Sequence, residues 1–219
     1  MSHKRFRRLM LAFALVLAVQ SAWIVLPEAI SPGAIHLPID GQAVAAAKLK
    51  RSRAWWAASL GLARGDLWAD VAFAYADLIQ PQYPDADQQA ARTMTERALL
   101  YSPHRADVWL LLALLLSRFD GNRLQLAAVL KMSYYTGANE LHLVPWRMFA
   151  SVSSSALDDA ELQEMVRRDI RMIISRKPDF KSTLIAAYKN APTTNKRFIE
   201  NVIAEVDPRL LASIRDGAR

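Results

Sequence analysis

Four histidines, His3, His36, His104 and His142, are the natural first candidates for acid–base or metal chemistry, and their spacing argues against both. No two stand four apart on one helix face and none forms a His-Glu pair, so a zinc site does not arise. Ser151, Ser153, Ser154 and Ser155 lack a G-x-S-x-G elbow and a nearby lysine to act as base, and read as a polar linker. Asp158 and Asp159 read as helix-start charges, favoured by the helix dipole. The chain has no cysteine, which excludes disulfides, thiolate ligands and a cysteine nucleophile. Its 7 glycines are spread too thinly to cradle a phosphate. The expectation is therefore a protein without catalytic residues, metal or cofactor.

Two basic stretches invite a binding role instead. Lys48, Lys50, Arg51 and Arg53 fall on one expected helix; Arg167, Arg168, Arg171, Arg176, Lys177 and Lys181 lie on and after another, opposite a stripe of Leu162, Val166, Ile170 and Ile173. The plain reading of the second group is a solvated face balanced by Glu161, Glu164 and Asp169. The sharper reading is contact with an anionic lipid or glycan. Nucleic acid is not expected. The formal charge of +7 falls to +3 once Lys4, Arg5, Arg7 and Arg8 are set aside, because residues 1–26 contain no acid.

The elements that must position these residues are helical. A chain of 219 residues, 53% hydrophobic, with 6 Trp and few glycines, is long enough for a sizeable core and has the turn-poor composition of a globular helical protein, not of a disordered one. From Leu9 to Leu26 it runs LMLAFALVLAVQSAWIVL, interrupted only by Gln20 and Ser21. Eighteen residues at about 1.5 Å each reach roughly 27 Å, just enough to span a bilayer's hydrocarbon core. Four basic residues precede the segment and none follows until Lys48, which places the N-terminus in the cytoplasm and the body across the membrane. A cleaved secretory signal is the alternative, with the same destination for the body. Pro27, Pro32, Gly33, Pro38 and Gly41 are expected to end the helix and form a tether.

Beyond the tether the chain repeats. A shift of 41 places Arg64, Asp66, Trp68 and Ala72 on Arg105, Asp107, Trp109 and Ala113; Trp146 leads a third copy and Leu184 a fourth. His104 and His142 fall near equivalent turns of successive copies. The first copy carries Trp68, Val71, Ala72 and Tyr75, then Ala91, Thr95, Ala98 and Pro103. The second carries Trp109, Leu112, Ala113 and Leu116, then Ala128, Met132 and Tyr135. The third keeps Trp146, Phe149 and Ala150, with Ser153 at the tyrosine position and Val166, Ile170 and Ile173 on its second helix before Pro178. These residues resemble the tetratricopeptide repeat, whose first helix reads W-x2-L-G-x2-Y and whose second carries A-x3-F-x2-A. Small residues at Ala72, Ala113, Ala91 and Ala128 would let paired helices approach closely. The period exceeds the family's 34, with the excess expected between paired helices at 80–87, 120–122 and 153–158.

Helices are expected near 43–62, 66–80, 86–101, 105–119, 123–136, 140–153, 159–175, 179–190, 194–205 and 208–215. Asp85 with Gln88, and Asp158 with Glu161, have the spacing of capping boxes, and Gly137 that of a helix stop. The stretch Val108–Leu116, apolar on every side, should be buried all round. Tyr135 is expected in the core, with Tyr134 left as a contact residue.

The expected architecture is all-α: a basic cytoplasmic tail over 1–8, a transmembrane helix or signal anchor over 9–26, a linker over 27–41, and over 42–219 a short right-handed α-solenoid of TPR-like antiparallel helix pairs. The anchor and the resemblance together imply a periplasmic scaffold or assembly protein of a Gram-negative envelope, binding another protein through a groove for which the resemblance points to Asp66, Phe73, Asp107 and Leu114; Tyr134 joins them as a contact candidate because tyrosine is enriched at contact surfaces. Synthesis, export or secretion of a surface polymer would suit such a protein. Two rivals stand beside it: a lipid or glycan binder using the basic stretches, and an enzyme with a dispersed site.

Overall fold

A computed structural model describes residues 3–33, 44–62, 64–76, 85–119, 123–176 and 178–216. Among them every regular element is helical. The chain divides into two compact units, Met1–Pro103 and His104–Arg219, each described in its own terms.

The first unit holds α1 (His3–Ile30), α2 (Val44–Gly61), α3 (Gly65–Ala74) and α4 (Asp85–Tyr101). Helix α1 covers 28 residues, and nearly all its large apolar side chains lie open: Leu11 is 63% exposed, Leu15 66%, Val25 61%. Pro27 does not end it. Proline lacks an amide and crowds the turn before it, yet the helix continues for one more turn. That last turn is held from outside. Arg53 of α2 donates from Nε to the Ile30 carbonyl at 3.1 Å and from Nη2 to the Ser31 carbonyl at 3.4 Å, supplying donors to carbonyls the helix leaves orphaned. Arg64 pairs with Glu28 at 2.9 Å. The expected tether therefore begins later than Pro27, and its residues 34–41 lie outside the described residues.

Helices α3 and α4 pair because small residues line their seam. Ala72, Ala91 and Ala98 are fully buried. Trp68 is 2% exposed; its ring stacks on Tyr101 at 5.8 Å, the Arg97 guanidinium lies over it at 4.1 Å, and Nε1 donates to the Leu62 carbonyl at 2.8 Å. Leu62 accepts that bond in a left-handed conformation, φ 49°, which closes α2. Helix α3 ends at Ala74, short of the expected boundary at 80, and residues 77–84 lie outside the described set. Side chains of the proposed Asp85 capping box also fall there, apart from buried Gln88.

The second unit holds α5 (Ala106–Phe119), α6 (Arg123–Thr136), α7 (Val144–Val152), α8 (Ala160–Arg176), α9 (Lys181–Asn190), α10 (Thr193–Val206) and α11 (Pro208–Asp216). Helix α5 packs on α6 and α7, α6 on α7 and α8, α7 on α8 and α9, α8 on α9 and α10, and α10 on α11. The apolar run Val108–Leu116 is buried except for half-exposed Trp109 and Leu114. Helix α8 is capped by Asp159 rather than Asp158: Leu162 N donates to Asp159 Oδ1 at 2.9 Å, while Asp158 lies in the preceding 3-10 turn.

The 41-residue repeat has a structural counterpart at two helix starts. Arg64 grips Asp66 and Arg105 grips Asp107 through Nε and Nη2, with an Nη2–Oδ2 distance of 2.5 Å in both. The tryptophan amide four residues on then donates to the arginine carbonyl, from Trp68 at 3.4 Å and from Trp109 at 3.2 Å.

Gly65 marks the tightest approach in the first unit. A Cβ there would lie 1.8 Å from Ser102 Oγ and 2.6 Å from the Tyr101 carbonyl. Gly65→Ala should lower stability by about 1–3 kcal/mol through over-packing, read as a lower denaturation midpoint. An unchanged midpoint would show the α3–α4 seam to be looser than described.

A buried arginine beneath an arginine-lined cleft

The most constrained polar group in the second unit is Arg147. It follows Trp146 on α7, within the face of Val144, Met148 and Ser151, and is 1% exposed. Nε donates to Ser133 Oγ at 2.9 Å, Nη1 to the Gly137 carbonyl at 2.9 Å and Nη2 to the Ser133 carbonyl at 2.6 Å. Ser133 Oγ passes its own hydrogen to the Ala106 carbonyl at 2.8 Å. One side chain thus links the end of α6 and the following turn to α7, and through Ser133 the start of α5.

Gly137 is needed here for space. A Cβ would sit 2.4 Å from that of Ala106 and 2.9 Å from Arg147 Nη2. It does follow α6 directly, as expected of a helix stop, but without the left-handed conformation that such stops favour.

Beside Arg147 lie two groups whose ionisation is disfavoured. Its guanidinium stands 5.0 Å from the Tyr134 ring centre, and burial lowers its pKa. The Tyr134 hydroxyl is held protonated by burial first and by the neighbouring Asp169 charge second. Burial pushes Asp169 up to about 6, against the pull of the Tyr134 hydroxyl and of Arg168 and Arg147. Tyr134 and Asp169 face one another, yet neither Tyr134 Oη nor Asp169 Oδ2 has a well-formed hydrogen bond among the described residues.

Asp169 also borders an open cleft of about 520 Å³. Ala138, Asn139, Leu141 and Val144 form one wall, from the α6–α7 turn and the start of α7. The other wall is α8, with Arg168, Arg171, Met172, Ser175 and Arg176. Helix α8 presents them because Leu162, Val166, Ile170 and Ile173, all fully buried, fix its opposite face. Arg171 is drawn to Glu205 of α10 at 2.7 Å. Arg168 and Arg176 are exposed and make no ion pair among the described residues. The cleft therefore offers two exposed guanidinium groups that make no ion pair among the described residues, across from Leu141 and Val144, an arrangement suited to a carboxylate-bearing ligand.

Three of the six residues in the second basic stretch line this cleft. Arg167 instead bonds Glu164 at 3.1 Å and Glu205 at 3.2 Å and lies over Phe198, while Lys177 falls outside the described residues. In the first stretch, Arg51 donates to the Ala74 carbonyl at 3.0 Å, and Arg53 holds the end of α1. These arginines are structural, contrary to a simple solvated basic patch.

Two of the expected groove residues, Phe73 and Tyr134, are buried. Phe73 is 1% exposed and Tyr134 2%, so neither offers a side chain to a partner. Asp107 is buried in its grip by Arg105; Asp66 is exposed but held by Arg64, which keeps its carboxyl below the usual range; Leu114 is half-buried. The tyrosine pair is reversed relative to expectation. Tyr135 is 56% exposed, and its hydroxyl donates to Glu161, which also takes Lys131 at 3.0 Å.

Two residues of this site carried signals that the sequence reading passed over. Asp169 stands three after Val166, on the buried stripe of α8, although charge counting assigns it to the solvated face. Arg147 stands three after Val144 and four before Ser151, on the inner side of α7.

No family model matches the chain, and no match was found among curated proteins or solved structures.

Because folded Asp169 titrates near 6 against an ordinary 3.8, the folded state binds more protons than the unfolded state between those values. Stability contributed by the protonated group is therefore full below pH 4 and lost as pH rises to about 6, by up to about 3 kcal/mol. The part of the denaturation midpoint owed to Asp169, read as the difference between the unaltered chain and Asp169→Asn, should fall across that window. Asp169→Asn should flatten this component and stabilise the protein at pH 7; a pH profile identical to that of the unaltered chain would count against it.

Proposed function

We propose that the chain is a membrane-tethered scaffold that binds another protein in the periplasm, with the second-unit cleft receiving an acidic segment of that partner. The observation that carries this reading is the pair of exposed guanidinium groups, Arg168 and Arg176, which make no ion pair among the described residues and stand across an open cleft from Leu141 and Val144. Among its lining residues there is one carboxylate and no histidine, lysine or second acid, so the groups favour holding a ligand over transferring its protons.

Helix α1 supports the tether. It is long and apolar enough to cross a membrane, and its exposed side chains need a cover that lipid provides. We read it as a retained signal anchor, with Lys4, Arg5, Arg7 and Arg8 on the cytoplasmic side. The alternative of signal cleavage would release the body to the periplasm. A TPR-like solenoid is supported by the packing order within the second unit, where α5, α7 and α9 follow one another and α6, α8 and α10 do likewise. A role in assembling a complex that makes or exports an envelope polymer suits a binder held at the membrane.

The test is a photo-crosslinking residue at Met172 in the full-length protein within its native envelope. A protein adduct is expected, lost when Arg168 and Arg176 are both changed to Glu and weakened by raised salt. An adduct indifferent to charge reversal, or retention of acidic glycan alone, would overturn the assignment of the cleft to a protein partner.

A further inference from the structure

Helix α2 keeps an unusual outer face. Ala54, Ala57 and Ala58 are buried against the first unit, whereas Leu49 is 63% exposed, Trp56 56% and Trp55 39%. The two indoles meet edge to face at 5.1 Å. Leu49 stands four residues before Arg53 and Trp56 three after it, so all three share one side of the helix. That side has a known direction, because the Arg53 guanidinium reaches the carbonyls of Ile30 and Ser31 at the end of α1.

We infer that this face of α2 lies in the interfacial zone of the lipid bilayer, as a second membrane contact beside the outer end of α1. The inference rests on α1 being inserted. If it is, Ile30 lies about 6 Å beyond Leu26, the last residue of the apolar run, and so at headgroup depth. Arg53 is then held at that depth, and Leu49 and Trp56 lie within one helical turn of it. Tryptophan favours this zone, where its indole meets both acyl chain and water. The composition agrees. The sequence of α2 holds no acid, and Lys48 and Lys50 stand on either side of Leu49 in the chain, which suits phosphate-bearing lipid headgroups. The consequence is orientation: two attachments limit rotation of the first unit about α1.

Tryptophan quenching by lipids brominated near the headgroup separates the two ideas. The full-length protein is reconstituted in vesicles of phosphatidylethanolamine and phosphatidylglycerol. In Trp23→Phe, emission should be quenched, and adding Trp55→Phe and Trp56→Phe should remove most of that quenching. The variant with Trp55→Phe and Trp56→Phe alone keeps Trp23, whose quenching by deeper bromines reports insertion of α1. Quenched Trp23 with unquenched Trp55 and Trp56 would overturn the second contact and leave the anchor standing. Unquenched Trp23 would overturn both. A dimer whose formation depends on Trp55 and Trp56, with no lipid quenching, would assign the face to a second copy.

Discussion

Among the described residues, nothing covers the apolar length of helix α1. Along most of its length the apolar side chains are half or more exposed, and Pro27 is its only buried residue. Burying a large aliphatic side chain is worth about 1.5–3 kcal/mol, so a run of this length in water would carry a penalty larger than the whole stability of an ordinary domain. Either lipid covers it or a peptidase removes it. The rest of the first unit is arranged around that constraint, because Arg53 and Arg64 attach the body directly to the last turn of the helix. A flexible tether would leave the first unit free to tumble about α1; hydrogen bonds to the helix end fix how that unit sits on it.

In the second unit a different necessity governs. A buried guanidinium must have its donors satisfied, since an unpaired buried charge costs several kcal/mol. Arg147 is satisfied largely by backbone carbonyls, and carbonyls at Ser133 and Gly137 are available because a helix has just ended there. The same helix end shapes one wall of the cleft. Tyr134 and Asp169 complete the cluster in partly neutralised form, so the site combines a constrained interior with open arginines at its rim. Such a division suits recognition, where rigid positioning of a few charges matters more than reactive groups.

Much of the helical frame was legible in the chain. Helix α6 occupies Arg123–Thr136, the expected span, with Gly137 directly after it, and α8 and α10 lie within a residue or so of expectation. Repeated Arg-x-Asp-x-Trp segments pointed to equivalent helix starts, because an arginine gripping an aspartate two residues on is a local interaction. Binding geometry was less legible. Family resemblance singled out Phe73 and the enrichment of tyrosine at contact surfaces Tyr134, whereas packing buries both; the tyrosine order could not be read because adjacent residues on a helix differ by about 100° in direction and only the neighbouring helices decide which points inward. Pro27 was taken as a stop, and tertiary donors from α2 let the helix run on. Arg147 and Asp169 were hidden by their charge, which suggests a surface until a stripe of apolar neighbours is traced on either side.

The natural absence of cysteine allows the central claim, a body carried across the membrane by a retained α1, to be tested by single-cysteine labelling. In intact spheroplasts, Ser175→Cys should react with a membrane-impermeant maleimide, while His3→Cys should react only after permeabilisation, with both proteins keeping full mass. Labelling of His3→Cys from outside with Ser175→Cys protected, or a mature protein that has lost its N-terminal residues, would contradict the account.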